Sequence, residues 1–439
     1  MQFGKTEYQI NLNLNVRGLK TSATLAINEK SNQLIAKGRE VIKLGLGQSP
    51  FPVPDEVVKE LQNNAHQKDY LPVKGLAGLR KAVADFNFRT QKVKTNPEHI
   101  MIGPGSKELI FLLQLVYYGD LIIPTPSWVS YSPQARIIGR NVHWVPTENE
   151  NDLRLSPEKL ELLCKDDPSR PRIVILNYPS NPTGSTYPIE RLKYLAEVAR
   201  KYGVILVSDE IYGLLHHNNQ HVSIARFYPE GTIISNGLSK WCGAGGWRLG
   251  TFSFPPKLTW LLDAMAIAAS ETFTSTSAPI QYAAIKAFEG GQFMDDYLRK
   301  VRRVLKTILK YITQRFDELH IIYPKPQGAF YIFPNFEHYR KRLNKAGIHN
   351  SIDLCERLLD DQGVALLPGV EFGMNPTDLS ARLAYVDFDG EQTMHEIENY
   401  LQNGIKKNNE NELLFLNLYA PKIVKATDKI GSWLKKLPY

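Results

Sequence analysis

Between residues 172 and 235 the chain alternates short, solidly apolar runs with longer amphipathic stretches. Residues 172–177, 204–207 and 232–235 have the length and β-branching of strands buried on both faces. Between the first two, residues 191–201 place Leu192, Leu195, Ala196, Val198 and Ala199 on one helical face, and Gly203 punctuates the end of that helix. Strand, helix and strand in succession predict an α/β fold with a mainly parallel sheet covered by helices on both sides. Upstream, the almost wholly apolar run 108–118 reads as a buried helix that follows Gly103-Pro104-Gly105-Ser106-Lys107. Residues 24–38 predict a helix leading into a strand at 41–46, while 364–367 and 383–386 predict strands and Ile397 and Leu401 a helix of a smaller unit. After Pro421, one helical face gathers Ile423, Ala426, Ile430, Trp433, Leu434 and Leu437, with lysines elsewhere. Such a basic amphipathic helix either docks on its own domain or lies on a membrane.

Composition narrows the class. A chain of 439 residues with 43% hydrophobic and 22% charged positions is long enough for two domains and too apolar for disorder. The net charge of +8 suits anionic ligands, but no long basic block outside the tail suggests nucleic acid. Residues 1–15 lack a signal-peptide core, and no apolar run reaches a membrane-spanning length. Cys164, Cys242 and Cys355 are widely spaced and odd in number, which predicts free thiols and a cytoplasmic location. Cys242 reads as a buried structural thiol or as a neighbour of a pocket.

The candidate chemistry centres on Lys240, in Ser235-Asn236-Gly237-Leu238-Ser239-Lys240, followed by Trp247-Arg248-Leu249-Gly250. Asn181-Pro182-Thr183-Gly184 and Ser208-Asp209-Glu210-Ile211-Tyr212 precede it. An amine, a carboxylate, a phenol, an amide and a guanidinium are together what pyridoxal 5'-phosphate requires. The amine forms a Schiff base with the cofactor aldehyde, and an acid opposite the ring nitrogen keeps it protonated, so that the ring acts as an electron sink. Asp209, expected where the 204–207 strand ends, is the candidate acid. Tyr212 and Asn181 are candidate donors to the phenolic oxygen, each bond to a charged group contributing roughly 1.5–3 kcal/mol. Arg248 suits the phosphate. The Gly103–Lys107 loop opening a helix offers free amides to the same anion. Trp128 reads either as a ring stacked on the cofactor or as an ordinary core tryptophan.

Over roughly residues 17–403 the chain resembles the class I aminotransferases, pyridoxal phosphate enzymes of fold type I. The matching motifs include Tyr70 with Gly75 and Leu79-Arg80, Gly105-Ser106-Lys107, and Pro126-Ser127-Trp128-Val129-Ser130-Tyr131. They continue through Ser180 to Gly184, Ser208 to Tyr212, Lys240 with Arg248, Gly328-Ala329-Phe330-Tyr331, Leu367-Pro368-Gly369 and Arg382. The resemblance implies a large cofactor-binding domain over 51–320 with a seven-stranded sheet. It also implies a small α+β domain built from 1–50 and 321–404, with 405–439 as an extension beyond the match, expected to be helical. It assigns Gly105, Ser106, Lys107, Trp128, Asn181, Asp209, Tyr212, Ser239, Lys240 and Arg248 to the cofactor, with Tyr70 reaching the phosphate of a neighbouring subunit in a homodimer. Lys240, Asp209 and Tyr212 are the expected catalytic residues. Arg382 is expected to grip the substrate α-carboxylate, with Gly47, Trp128, Asn181, Lys20 and Lys107 also at the substrate.

The implied reaction is a ping-pong transamination between an L-amino acid and a 2-oxo acid. The segment Lys20 to Asn28 is similar to that of the aspartate and aspartate/prephenate branch, which favours aspartate and glutamate. Thr21, Gln48-Ser49-Pro50 and the glycine-rich Trp241 to Gly246 depart from that branch, which leaves an aromatic or broad-range aminotransferase as the nearest competitor. A β-lyase, or a pyridoxal-binding regulator without catalysis, are the other classes, although the stretch before Leu44 is short for a DNA-binding module. His216, His217 and His221 cluster without supporting acids, so no metal is expected.

Overall fold

The computed structural model describes residues 11–147, 153–402 and 409–438. The expectation about a leader at residues 1–15 and the outer ends of the 1–50 and 405–439 segments thus lie partly outside the described residues. Twelve strands follow in chain order: β1 (Ile42–Lys43), β2 (Ile100–Gly103), β3 (Asp120–Thr125), β4 (Val142–Pro146), β5 (Arg172–Asn177), β6 (Ile205–Asp209), β7 (Thr232–Gly237), β8 (Gly250–Ser253), β9 (Tyr331–Ile332), β10 (Val364–Ala365), β11 (Leu367–Pro368) and β12 (Ala381–Ala384).

Strands β2 to β8 form one seven-stranded sheet in the order β2-β8-β7-β6-β5-β3-β4. Only β8 runs against the others, pairing antiparallel with both β2 and β7. The apolar side chains of β5, β6 and β7 are buried, as a sheet covered on both faces demands. The helix Ile189–Lys201 buries Leu192, Leu195, Ala196 and Ala199 against it. The apolar helix Ser106–Val116 begins at Gly105, whose φ of 92° an L side chain rarely adopts.

Two small sheets join distant parts of the chain. β1 pairs parallel with β10, and β12 lies antiparallel between β11 and β9. The helix Gln292–Glu318 presents Val301, Val304, Leu305, Ile308, Leu309 and Ile312 as one buried stripe. The tail forms the helices Asn409–Tyr419 and Pro421–Lys435, and Ile423, Ala426, Ile430, Trp433, Leu434 and Leu437 are all buried against the rest of the chain. No helix among the described residues is long and apolar enough to cross a membrane.

Two expectations change in detail. The helix predicted over 24–38 spans Ala23–Ala36, because the Arg39 amide turns back to the Leu34 carbonyl and Gly38 adopts a φ of 80°. The strand predicted over 41–46 is only Ile42–Lys43. Beyond Leu44 the chain leaves the ladder, and the Gly45 and Gly47 carbonyls accept from side chains of the site.

Candidate active site

Parallel register places the ends of β5, β6 and β7 side by side, with Asn177 opposite Asp209 and Asp209 opposite Ser235. Each strand end then releases a loop to the same edge: β2 leads to Ser106 and Lys107, β3 to Trp128, β5 to Asn181, β6 to Tyr212 and β7 to Ser239 and Lys240. Because β8 runs backwards, its first residue, Gly250, pairs with the last residues of β2 and β7, which brings Arg248 to that edge as well. This is the carboxyl edge at which open α/β sheets bind ligands.

A cavity of about 440 Å³ lies there, lined by Gly47, Ser106, Lys107, Trp128, Asn181, Asp209, Tyr212, Ser239, Lys240, Arg248 and Arg382. Lys240 Nζ donates to the Gly47 carbonyl at 2.7 Å. Burial first, then the Arg382 and Arg248 cations, lower its pKa to about 8, against an opposing pull from Asp209. Asp209 is buried and accepts from Tyr131 Oη at 2.6 Å and Ser235 Oγ at 3.2 Å. Its desolvation outweighs these bonds and raises its pKa to about 6. Burial likewise holds Tyr212 well above the usual phenol value, so it remains a donor; its Oη lies 2.7 Å from that of Tyr331.

Arg382 is fully buried with no carboxylate partner among the described residues. It donates to Asn181 Oδ1 at 3.0 Å and to the Gly45 carbonyl, and its guanidinium lies 4.8 Å from the Tyr331 ring centre. Its Nε is buried without a hydrogen-bond partner, a cation prepared for an anion that the protein itself does not supply. Lys107, exposed on one side, lies 5.6 Å from the Trp128 ring centre, and loss of water together with Arg248 keeps its pKa below the ordinary lysine value.

The donor set fits pyridoxal 5'-phosphate. Ser106 and Lys107 open a helix whose free amides and positive end favour a phosphate, and Ser239 and Arg248 complete that corner. The cradle has no room for side chains: a Cβ on Gly105 would sit 2.4 Å from Arg248 Nη2, and one on Gly250 would sit 2.1 Å from the Ser106 amide nitrogen. Arg248 itself is held at φ 54°, strained backbone that aims its side chain at the Gly105 loop.

Lys20 and Gly105, expected at the site, do not line this cavity, and neither does Tyr70, which was expected at the site of a neighbouring subunit. Lys20 is exposed, Tyr70 is 90% exposed, and Gly105 lies beneath Arg248. Conversely, Tyr331, Asn177, Thr24 and Gln48 line it without having been chosen from sequence. Tyr331 stood in the Gly328-Ala329-Phe330-Tyr331 motif and Gln48 among the departures, but nothing local indicated that they face Lys240. Gly47 must be glycine because a Cβ there would lie 2.0 Å from Tyr331 Oη.

The expectation that no acid supports the His216, His217 and His221 cluster does not hold: His221 lies 3.0 Å from the buried Glu210 carboxylate, while His217 Nε2 lies 3.0 Å from the Ala329 carbonyl. The three cysteines are buried and free. A larger, more open groove of about 1270 Å³ along Lys306, Lys310 and Tyr323 contains none of the candidate catalytic groups.

Comparison with known proteins gives the same answer as the geometry. A family model for aminotransferase class I and II matches residues 39–391. An aspartate aminotransferase of Geobacillus stearothermophilus is 36% identical over 369 residues, covering 82% of this chain and 91% of that protein. One of Bacillus subtilis is 33% identical, covering 84% and 93%. The solved structure of Thermus thermophilus aspartate aminotransferase with maleate superposes with a TM-score of 0.81 at 28% identity, over 97% of this chain and all of that one. The chain therefore belongs to the class I and II aminotransferases, fold-type I transaminases that use pyridoxal phosphate.

Proposed function

We propose that the chain transfers the amino group of an acidic L-amino acid, aspartate or glutamate, to a 2-oxo acid such as 2-oxoglutarate. The observation that carries this reading is the charge of the cavity. Lys107, Lys240, Arg248 and Arg382 line it against a single acid, Asp209, an excess of positive charge suited to a phosphate and a dicarboxylate together. The names of the relatives support it: two are aspartate aminotransferases, and one solved neighbour was determined with maleate, a dicarboxylate.

When bound, pyridoxal phosphate supplies the electron sink that makes the substrate Cα proton acidic. Lys240 is the residue that would hold it covalently, and its Nζ, when free and neutral, would take the proton from the substrate Cα and carry it to an acceptor carbon two bonds away. A pKa near 8 leaves a working fraction of that amine neutral near pH 7–8. Asp209 would place its carboxylate opposite the ring nitrogen, and Tyr212 and Asn181 would donate to the phenolic oxygen. Ser106, Ser239 and Arg248, with the Gly105 turn beneath them, would hold the phosphate. Arg382 grips the α-carboxylate in a bidentate pair, with Gly47 approaching through its backbone and Trp128 covering the ring. Lys107 meets the distal carboxylate. Lys20, exposed in the free protein, contributes only if its segment moves inward on substrate. One oxo acid leaves before the other enters, giving a ping-pong order.

The same reading divides the chain into a large unit over 51–320 and a small one from 1–50 and 321–404, supported by β1 pairing with β10. It also makes Tyr70 a residue of the partner's site in a homodimer, supported by the exposure of this large side chain away from its own cavity. Free, buried thiols suit a reducing cytoplasm.

A panel of amino donors with 2-oxoglutarate tests the substrate. Aspartate and glutamate are expected to exceed phenylalanine and tyrosine in kcat/KM by about 100-fold, because an aromatic donor leaves the distal cation unpaired. Preference for the aromatic donors would establish the broad-range reading instead. Ammonia released without an oxo-acid acceptor would establish a β-lyase.

A further inference from the structure

The tail lies outside the matched family region, yet it connects with the active-site wall through a short series of bonds. The wall is the stretch from Gly45 to Gln48, whose carbonyls at Gly45 and Gly47 accept from Arg382 and Lys240. This stretch has no strand partner of its own. Leu44, directly before it, is held by the Ala365 carbonyl and the Ala384 amide, and on either side of that anchor the chain also rests on one segment, residues 387–390. At the front, the Lys43 amide donates to Asp387 Oδ2 at 2.7 Å. At the rear, Gly390 lies so close to the Pro50 carbonyl that a Cβ would sit 2.2 Å from that oxygen.

Asp387 is in turn pinned by the tail. Lys422, in the first turn of the helix Pro421–Lys435, donates to Asp387 Oδ1 at 2.7 Å. Each carboxylate oxygen thus serves a different partner, one in the active-site strand and one in the tail. The next turn of the same helix reaches the other end of β1, where Lys425 bonds both oxygens of Glu40 at 2.6 and 2.7 Å.

We infer that the C-terminal helix is a splint for the active-site wall, and that Lys422 and Asp387 are positioning residues that fix the Gly45 and Gly47 carbonyls through the Lys43 amide. The inference rests on Arg382 and Lys240 working in the cavity as proposed above. An ammonium on one carboxylate oxygen holds the other in line with a backbone N–H; without it the Lys43 amide alone orients the carboxylate and the wall gains play. The arginine that the wall holds at Gly45 is the one assigned to the substrate carboxylate. Play there weakens binding of the amino donor and of the oxo acid alike, while the proton transfer at Lys240 is little altered once substrate is bound.

The test is steady-state kinetics of the holoenzyme with aspartate and 2-oxoglutarate. K422M is expected to raise KM for both substrates about threefold with kcat within about 1.5-fold. K422R should restore wild-type KM, since any cation on Asp387 Oδ1 suffices. D387N should match K422M, and the K422M/D387N double variant should be no worse than either single change, because both cut the same link. D428N is the control: it breaks the 3.1 Å pair between Asp428 on the same helix and Arg315, and should leave KM unchanged. Unchanged KM in K422M, beside a wild type that transaminates normally, overturns the splint and leaves the active-site reading standing. Equal KM increases in K422M and D428N overturn it too, since the tail would then act only by general stability.

Discussion

Lysine serves opposite purposes in the cavity and in the tail, and the difference lies in water rather than in residue type. Lys240 has lost part of its water and faces Arg382 and Arg248, so its proton is loosened to a pKa of about 8. Lys425, half exposed, meets Glu40 at 2.6 Å, and there the partner responds: the hydrogen bond from Lys425 holds the Glu40 carboxyl below its usual value. One region spends stability to keep a neutral amine available, and the other gains a little by holding charges together. The motif locates the candidate lysine, while burial and the neighbouring cations are what loosen its proton.

The largest expected effect is on Lys240→Ala. Turnover should fall by about 10⁴-fold or more, with loss of the visible absorption of the lysine-bound cofactor and of borohydride trapping at that position. Retained turnover would erase the contrast with the tail lysines altogether. Next, Asp209→Asn removes the buried acid proposed to face the cofactor ring, and kcat should drop by about 10²–10³-fold in steady-state measurements.

Stability sharpens the comparison further. In the cofactor-free protein the Lys240 pKa of about 8 lies below the ordinary 10.5. Between these values the unfolded chain holds more protons than the folded one, so stability rises with pH across that window and carries its full penalty below pH 8. Lys240→Met should therefore stabilise the cofactor-free protein by about 3 kcal/mol at pH 7 in urea unfolding, with the gain fading as pH approaches 10.5. Asp209 works in the opposite sense. Its pKa is raised from 3.8 to about 6, so the folded state holds the extra proton and its contribution falls as pH rises through that range. A Lys240→Met protein no more stable than wild type at pH 7 would show that the lysine is better solvated than its surroundings imply. The smallest effect belongs to Lys425→Met, where unfolding should change by less than about 1 kcal/mol and the difference should shrink in high salt.

Most of the central sheet was legible because a strand buried on both faces is written as a solid apolar run, as in residues 172–177 and 204–207. Lys240, Asp209, Tyr212, Asn181 and Arg248 were legible for a related reason: each sits within a few residues of a strand end or glycine turn that has a local signature. Tyr131, which bonds Asp209 from 78 positions away, and Tyr331, which meets Tyr212 from 119 away, have no such marker of their function. Lys20 is the converse case: the resemblance assigned it to the substrate, while in the ligand-free chain it is exposed and outside the cavity lining.

By itself the sequence determined the α/β alternation, through short-range periodicity, and pointed to the cofactor and to Lys240 as its candidate residue, through motifs shared with the family. Only the tertiary structure decided which loops meet. Strand order, with the reversed β8, delivers Arg248 beside Ser106, and the same long-range packing strips part of the water from Lys240, leaves Arg382 without a carboxylate and ties the tail to Asp387. Desolvation and charge crowding depend on neighbours hundreds of residues away, and no local pattern of side chains encodes them.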